Sequence, residues 1–148
     1  MDPLSIVGLV SGIITFIDFS WKLVNGANDI YESASGATKE NVHISTVIGD
    51  LNRLTADLGD GVQYLGDTSR DHALRKLTAG CHELSDELVA ILSKLRVSEK
   101  NSSWRALKVK WDSMRKRKEI MSIRDRLHDY QSEITLHLNS ILLLETPV

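Results

Sequence analysis

The residues able to do acid–base, metal or nucleophilic chemistry are few and scattered. Five histidines (His43, His72, His82, His128 and His137) show no H-E-x-x-H or comparable ligand spacing. The one cysteine, Cys81, stands beside His82, but neighbours on a helix point about 100° apart and chelate poorly. Cys81 falls on an apolar stripe, the place of an inert buried thiol rather than a nucleophile. A lone cysteine fits a reducing compartment. Glu83, Asp86 and Glu87 lie off that stripe and read as a solvated acidic face, since paired catalytic carboxylates would need a cleft. No G-x-x-x-x-G-K-[ST] loop is present, so that mode of nucleotide binding is excluded. The expectation is a chain that is not an enzyme and uses no metal or cofactor.

A basic run carries more. Lys108, Lys110, Arg115, Lys116, Arg117 and Lys118, with Arg105, Arg124 and Arg126, make up half of the 18 lysines and arginines. Between residues 105 and 126 only Asp112, Glu119 and Asp125 oppose them. Trp104 and Trp111 are interleaved. Lysines and arginines with indoles among them suit an anionic lipid surface. The alternative is a solvated helix junction whose tryptophans pack on the fold. A net charge of -2 gives no reason to expect nucleic acid.

The first nineteen residues hold the other feature. Between Asp2 and Asp18 no side chain is charged. Pro3 after Asp2 signals a helix start, the aspartate capping and the proline lacking an amide hydrogen that would be orphaned there. Ile6, Val7, Gly8, Leu9, Val10, Gly12, Ile13, Ile14, Phe16, Ile17 and Phe19 then make the helix apolar nearly all round, so it must be buried in protein or placed in lipid. Gly8-Leu-Val-Ser-Gly12 spaces small residues for close helix approach, in lipid or in a soluble bundle. Asp18 is either a solvated or paired carboxylate, or a water-facing acid lining an oligomeric pore. The basic n-region of a secretory signal is missing, for residue 2 is acidic and the first basic residue is Lys22. Residues 3–17 as a helix reach about 22 Å, against about 30 Å of hydrocarbon, which disfavours a standing transmembrane helix. Residue 2 is not glycine, so no myristoylation signal is offered.

The elements that position these residues are helices. At 148 residues the chain fits one domain, burying about two-thirds of its unfolded surface. The first helix is expected from Pro3 to about Ser33, ending at Ser33-Ala-Ser-Gly36, with Trp21, Val24, Ala27, Ile30 and Tyr31 as the stripe of its second half. Thr38 caps a second helix to about Leu58, with Ile44, Val47, Leu51, Leu54 and Leu58 on one side. Gly59-Asp-Gly61 breaks it. Thr68-Ser-Arg-Asp71 is a capping-box pattern for a third helix carrying Leu74, Leu77, Cys81, Leu84, Leu88, Ile91 and Leu95. A short helix spans Trp104–Asp112 after a polar loop. The last helix, from Arg115–Lys118 to about Leu144, has Ile120, Ile123, Leu127, Tyr130, Ile134, Leu138 and Ile141 in line. Three-four spacing and short connections predict an all-α, up-down four-helix-type bundle with a short extra helix near 103–112. The first helix is expected at its centre.

The opening Met1-Asp-Pro-Leu-Ser5, continuing through Gly8-Leu9 to Phe16-Ile-Asp-Phe19, resembles the start of the fungal N-terminal domain of STAND/NOD-like receptors, a HeLo-like helical domain. The resemblance extends to Asp29-Ile-Tyr31 before Ser35-Gly36 and to Asp50-Leu51-x-x-Leu54. It is found again in Gly80-Cys81-x-x-Leu84-x-x-Glu87-Leu88 and in Leu136-His137-Leu138-Asn139. It implies an all-α effector module at the N-terminus of a larger receptor, where a nucleotide-binding oligomerisation module and a repeat sensor would follow. It further implies programmed cell death or heterokaryon incompatibility, exerted at a membrane after oligomerisation.

Taken together, these readings predict a cytoplasmic, non-enzymatic signalling domain that forms homo-oligomers and moves to the plasma membrane. Residues Pro3–Phe19 enter lipid, and Lys108, Lys110, Arg115, Lys116, Arg117 and Lys118 contact anionic headgroups. The rival is a helical adaptor whose first helix stays permanently in the core.

Overall fold

The computed structural model describes residues 3–26, 42–98 and 103–145. It is an all-α bundle of five helices: α1 (Pro3–Val24), α2 (Ile44–Val62), α3 (Ser69–Ser98), α4 (Trp104–Met114) and α5 (Lys118–Glu145). Among the described residues there is no sheet, only an isolated bridge between His43 and Ser103.

The apolar stripes of α2, α3 and α5 form the core. Ile44, Val47, Leu51 and Leu58 are buried on α2, Leu74, Leu77, Cys81, Leu84, Leu88 and Leu95 on α3, and Ile120, Ile123, Leu127, Ile134 and Ile141 on α5. Leu54, Ile91, Tyr130 and Leu138 are half-buried at the stripe edges. Thr68 caps α3 by accepting from the Asp71 amide at 3.0 Å. Asp71 reaches back not to Thr68 but to the Gly66 amide, at 2.9 Å.

Successive long helices run antiparallel. A side chain on Gly12 would touch Leu58, and one on Gly61 would touch Leu9, which sets α2 against α1. Thr55 donates to Ser85 at 2.9 Å and Arg96 to Ser45 at 3.3 Å, which sets α3 against α2. Arg126 pairs with Glu87 at 2.6 Å, and Gly80 lies under the Tyr130 ring, which sets α5 against α3. The principal neighbours of α1 are α2 and α5. It also touches α3, but among the described residues one of its sides has no helix over it, so it is not covered all round as its composition suggested. The remaining face is open: Gly8, Ser11, Ile14, Thr15 and Asp18 are exposed. Apart from Ile14 they are small or polar and recur at three- and four-residue spacing, a stripe opposite the apolar one.

Three boundaries differ from the sequence expectation. α1 stops at Val24 rather than near Ser33, because Gly26 adopts a left-handed φ of 67°, the conformation that ends helices and favours glycine. A Cβ at Gly26 would also run into the Asp112 carboxylate. The expected Ala27, Ile30 and Tyr31 stripe, the Ser33–Gly36 end and the Thr38 cap lie outside the described residues. α2 begins only at Ile44, where His43 Nδ1 accepts from the Ser45 amide at 3.0 Å. α2 also continues through Gly59-Asp-Gly61 to Val62.

Candidate functional site: the apolar helix and its basic clamp

Ile6, Leu9, Val10, Ile13, Phe16 and Ile17 are buried, Phe16 and Ile13 completely. Val7, Gly12 and Phe19 are half-buried, whereas Gly8 and Ile14 face solvent. The expectation of a helix buried all round is thus corrected: α1 has one side in the core and one in water. The stretch Ile6–Val24 is long and apolar enough to cross a membrane by length and composition, a test the core helix of a soluble protein also passes. All 22 residues of α1 would extend about 33 Å, but the part beyond residue 17 includes the charged Asp18 and Lys22. Asp18 is exposed and pairs with Lys22 one turn on, at 3.5 Å.

The basic segment occupies α4 and the turn into α5. Lys110, Arg115, Lys116, Arg117 and Lys118 are exposed and Lys108 is half-buried. Its tryptophans are not interfacial. Trp104 and Trp111 are buried, at 4% and 0% exposure, with ring centroids 6.0 Å apart and planes tilted by 58°. Their area is worth more inside the bundle than at its surface, so the junction reading holds for the indoles. The large apolar side chain that α4 does expose is Val109, between two lysines.

The fold joins the two features in a way that spacing did not reveal. The last carbonyls of α1 have no partner within the helix and must find donors elsewhere. Trp111 donates its indole N–H to the Val24 carbonyl at 3.1 Å, within the core. Arg115 donates to the Asn25 carbonyl at 2.7 Å and stands 3.5 Å from Asp112. The Lys108 stem approaches Gly26. α4 is in turn tied to the start of α2, the Trp104 amide donating to the Val42 carbonyl at 2.7 Å. Asn25, Gly26 and Asp112 belong to this clamp and were missed. The available signal was Gly26 itself, an isolated glycine within a helical pattern.

The titratable side chains remain dispersed. His43 caps α2, His82 faces Asp86 at 3.7 Å and His137 faces Glu133 at 3.9 Å, all at single-turn range. Among the described residues no three of His, Cys, Asp or Glu are grouped to hold a metal ion. Burial, aided by the nearby Glu133 charge, pushes the Cys81 thiol up to about 12.

The architecture defines a class, the all-α bundle with one long apolar N-terminal helix. Compared with known proteins, the chain matches no family model, no curated protein and no solved structure.

Proposed function

We propose that the chain is a non-enzymatic signalling domain of the HeLo-like cell-death kind. Its four long helices would act as an up-down four-helix-type unit with α4 as the end piece. It assembles into homo-oligomers on activation and then acts at the plasma membrane from the cytoplasmic side. A nucleotide-binding receptor module in cis would gather the copies. α1 leaves its place, and Ile6–Phe19 exchanges the protein core for lipid. Lys110, Arg115, Lys116, Arg117 and Lys118 make the first contact with anionic headgroups. In the assembly Asp18 faces water, its charge offset by Lys22.

The observation that carries this reading is the seating of α1. A helix of bilayer-spanning length and composition is held by its apolar side in the core. Its end is clamped by Trp111 and Arg115, from the element that carries the basic run. Each large apolar side chain contributes about 1.5–3 kcal/mol by leaving water, so α1 leaves only when lipid or partner helices take over that burial.

The test is a reversible lock. A Cβ built on Gly61 lies 3.5 Å from the Leu9 Cβ, at the near end of the roughly 3.5–4.5 Å that a disulfide requires. The Leu9→Cys/Gly61→Cys variant, oxidised and shown to be helical by circular dichroism, should not release dye from anionic liposomes. Adding reductant should restore release. Equal leakage from locked and reduced protein overturns the withdrawal of α1. Absence of leakage in every form, under conditions that oligomerise the protein, favours the adaptor. One observation speaks for that second reading: a groove of about 310 Å3 between α1 and α5, with Ile14, Ile17, Trp21 and Ile134 in its wall, would take an apolar side chain of a partner.

A further inference from the structure

A hollow of about 350 Å3 opens where α3, α4 and α5 meet. Ile91, Leu95 and Met114 give it an apolar floor. Lys94, Lys110 and Arg117 stand around it, and among its described lining residues Glu119 is the one carboxylate. The three cations come from separate parts of the chain. Lys94 is remote in sequence from the basic run, and only the fold brings it there.

The hollow also adjoins the start of α5. A helix N-terminus carries partial positive charge and favours a side-chain acceptor at its cap. Here Arg115, Lys116 and Arg117 precede the helix and Lys118 opens it. Arg117 stands where a serine or aspartate would cap, and a guanidinium has no acceptor. Glu119 is the one acid in the first turn. Cations stacked on the positive end of a helix repel it, and a bound anion would relieve that repulsion. A bare anion would leave the floor uncovered, and a neutral chain would gain nothing from the rim cations.

We infer that the hollow between α3, α4 and α5 binds a phosphate-bearing amphiphile, with its phosphate at Lys94, Lys110 and Arg117 and its alkyl chain over Ile91, Leu95 and Met114. This deepens the membrane reading by naming a headgroup class, and rests on it for a lipid source.

Dodecyl phosphate, below its micellar concentration, is the probe, and the Met114 methyl resonance is the reporter. It should shift saturably, whereas inorganic phosphate and dodecyl maltoside should each bind far more weakly. Lys94→Gln/Arg117→Gln should weaken dodecyl phosphate by about tenfold or more, and the charge-matched Lys76→Gln/Arg53→Gln by less than about twofold. Phosphatidylcholine vesicles containing phosphatidic acid should capture the parent chain and lose the first variant. Equal weakening by the two variants overturns the site, because surface charge alone would then explain binding. Inorganic phosphate binding as tightly as dodecyl phosphate also overturns it. Binding of dodecyl phosphate without vesicle capture upholds the hollow, assigns it a soluble alkyl phosphate, and counts against the membrane reading alone.

Discussion

Ser20 is the weak point in the seat of α1. It is fully buried, and its hydroxyl has no hydrogen-bond partner among the described residues. An unpaired buried hydroxyl costs about 1–3 kcal/mol, and alanine is the better helix former. Ser20→Ala should stabilise the fold by about 1 kcal/mol, seen as a higher urea midpoint at unchanged slope. The same change should raise the protein concentration needed for liposome leakage, since α1 becomes harder to withdraw. Cys81 gives a prediction of a different kind. Its thiol is held protonated in the fold, up to about 12 against an ordinary 9.0. The folded value is raised, so the stabilisation is complete below pH 9.0 and is lost as pH climbs toward 12. The unfolded chain deprotonates first in that window, and stability falls there by up to about 1.4 kcal/mol per pH unit. The advantage of the parent chain over Cys81→Ala in urea denaturation should therefore shrink steadily once pH passes 9.0. An advantage independent of pH would show that the thiolate is tolerated in the core.

At the scale of the element, α2 offers two glycines two residues apart with opposite environments. A Cβ at Gly59 would meet nothing within 4 Å, whereas one at Gly61 would come 2.9 Å from Leu9 Cδ1. Gly59→Ala should stabilise by about 0.5–1 kcal/mol through the unfolded chain. Gly61→Ala should destabilise by about 1–3 kcal/mol through overpacking against α1, and combining it with Leu9→Ala should be less than additive in urea titrations. This pair also shows what the sequence could and could not convey. The stripes of α2, α3 and α5 were legible because burial repeats every three or four residues, and the Thr68 cap because its chemistry is local. Gly59 and Gly61 read as a break, yet the helix continues. The cost of a helical glycine is about 1 kcal/mol, less than what Leu58 and Val62 gain by packing. Gly26 was passed over for the converse reason. Its left-handed turn is fixed by α4, far along the chain, through Asp112, Trp111 and Arg115. Composition left the tryptophans between a lipid interface and the bundle interior, because which side of α4 meets the core is decided only by tertiary packing.

Across the whole molecule, α4 secures the C-terminal end of α1, whose length packs on α2 and α5. Helix α1 ends, α2 begins and α5 begins at one pole of the bundle, and α4 is hydrogen-bonded to the first two and leads into the third. The contact with most leverage is the Trp111 indole on the Val24 carbonyl. Trp111→Phe keeps an aromatic ring in the site but leaves a buried carbonyl unpaired, at about 1–3 kcal/mol. The loss should be local rather than global, because α2 and α3 pair directly with each other along their length. Hydrogen exchange should therefore accelerate at the amides of Leu23, Val24 and Asn25 while Leu51 and Leu84 keep their protection. Under the proposed function the same variant should also leak liposomes at lower protein concentration, since its α1 is already part-released. If exchange rises by the same factor at Leu51 and Leu84 as at Val24, α1 opens only when the entire bundle opens. A helix that cannot be withdrawn separately cannot be the inserting element, and the permanent-core adaptor would then be the better account of why so apolar a segment is kept.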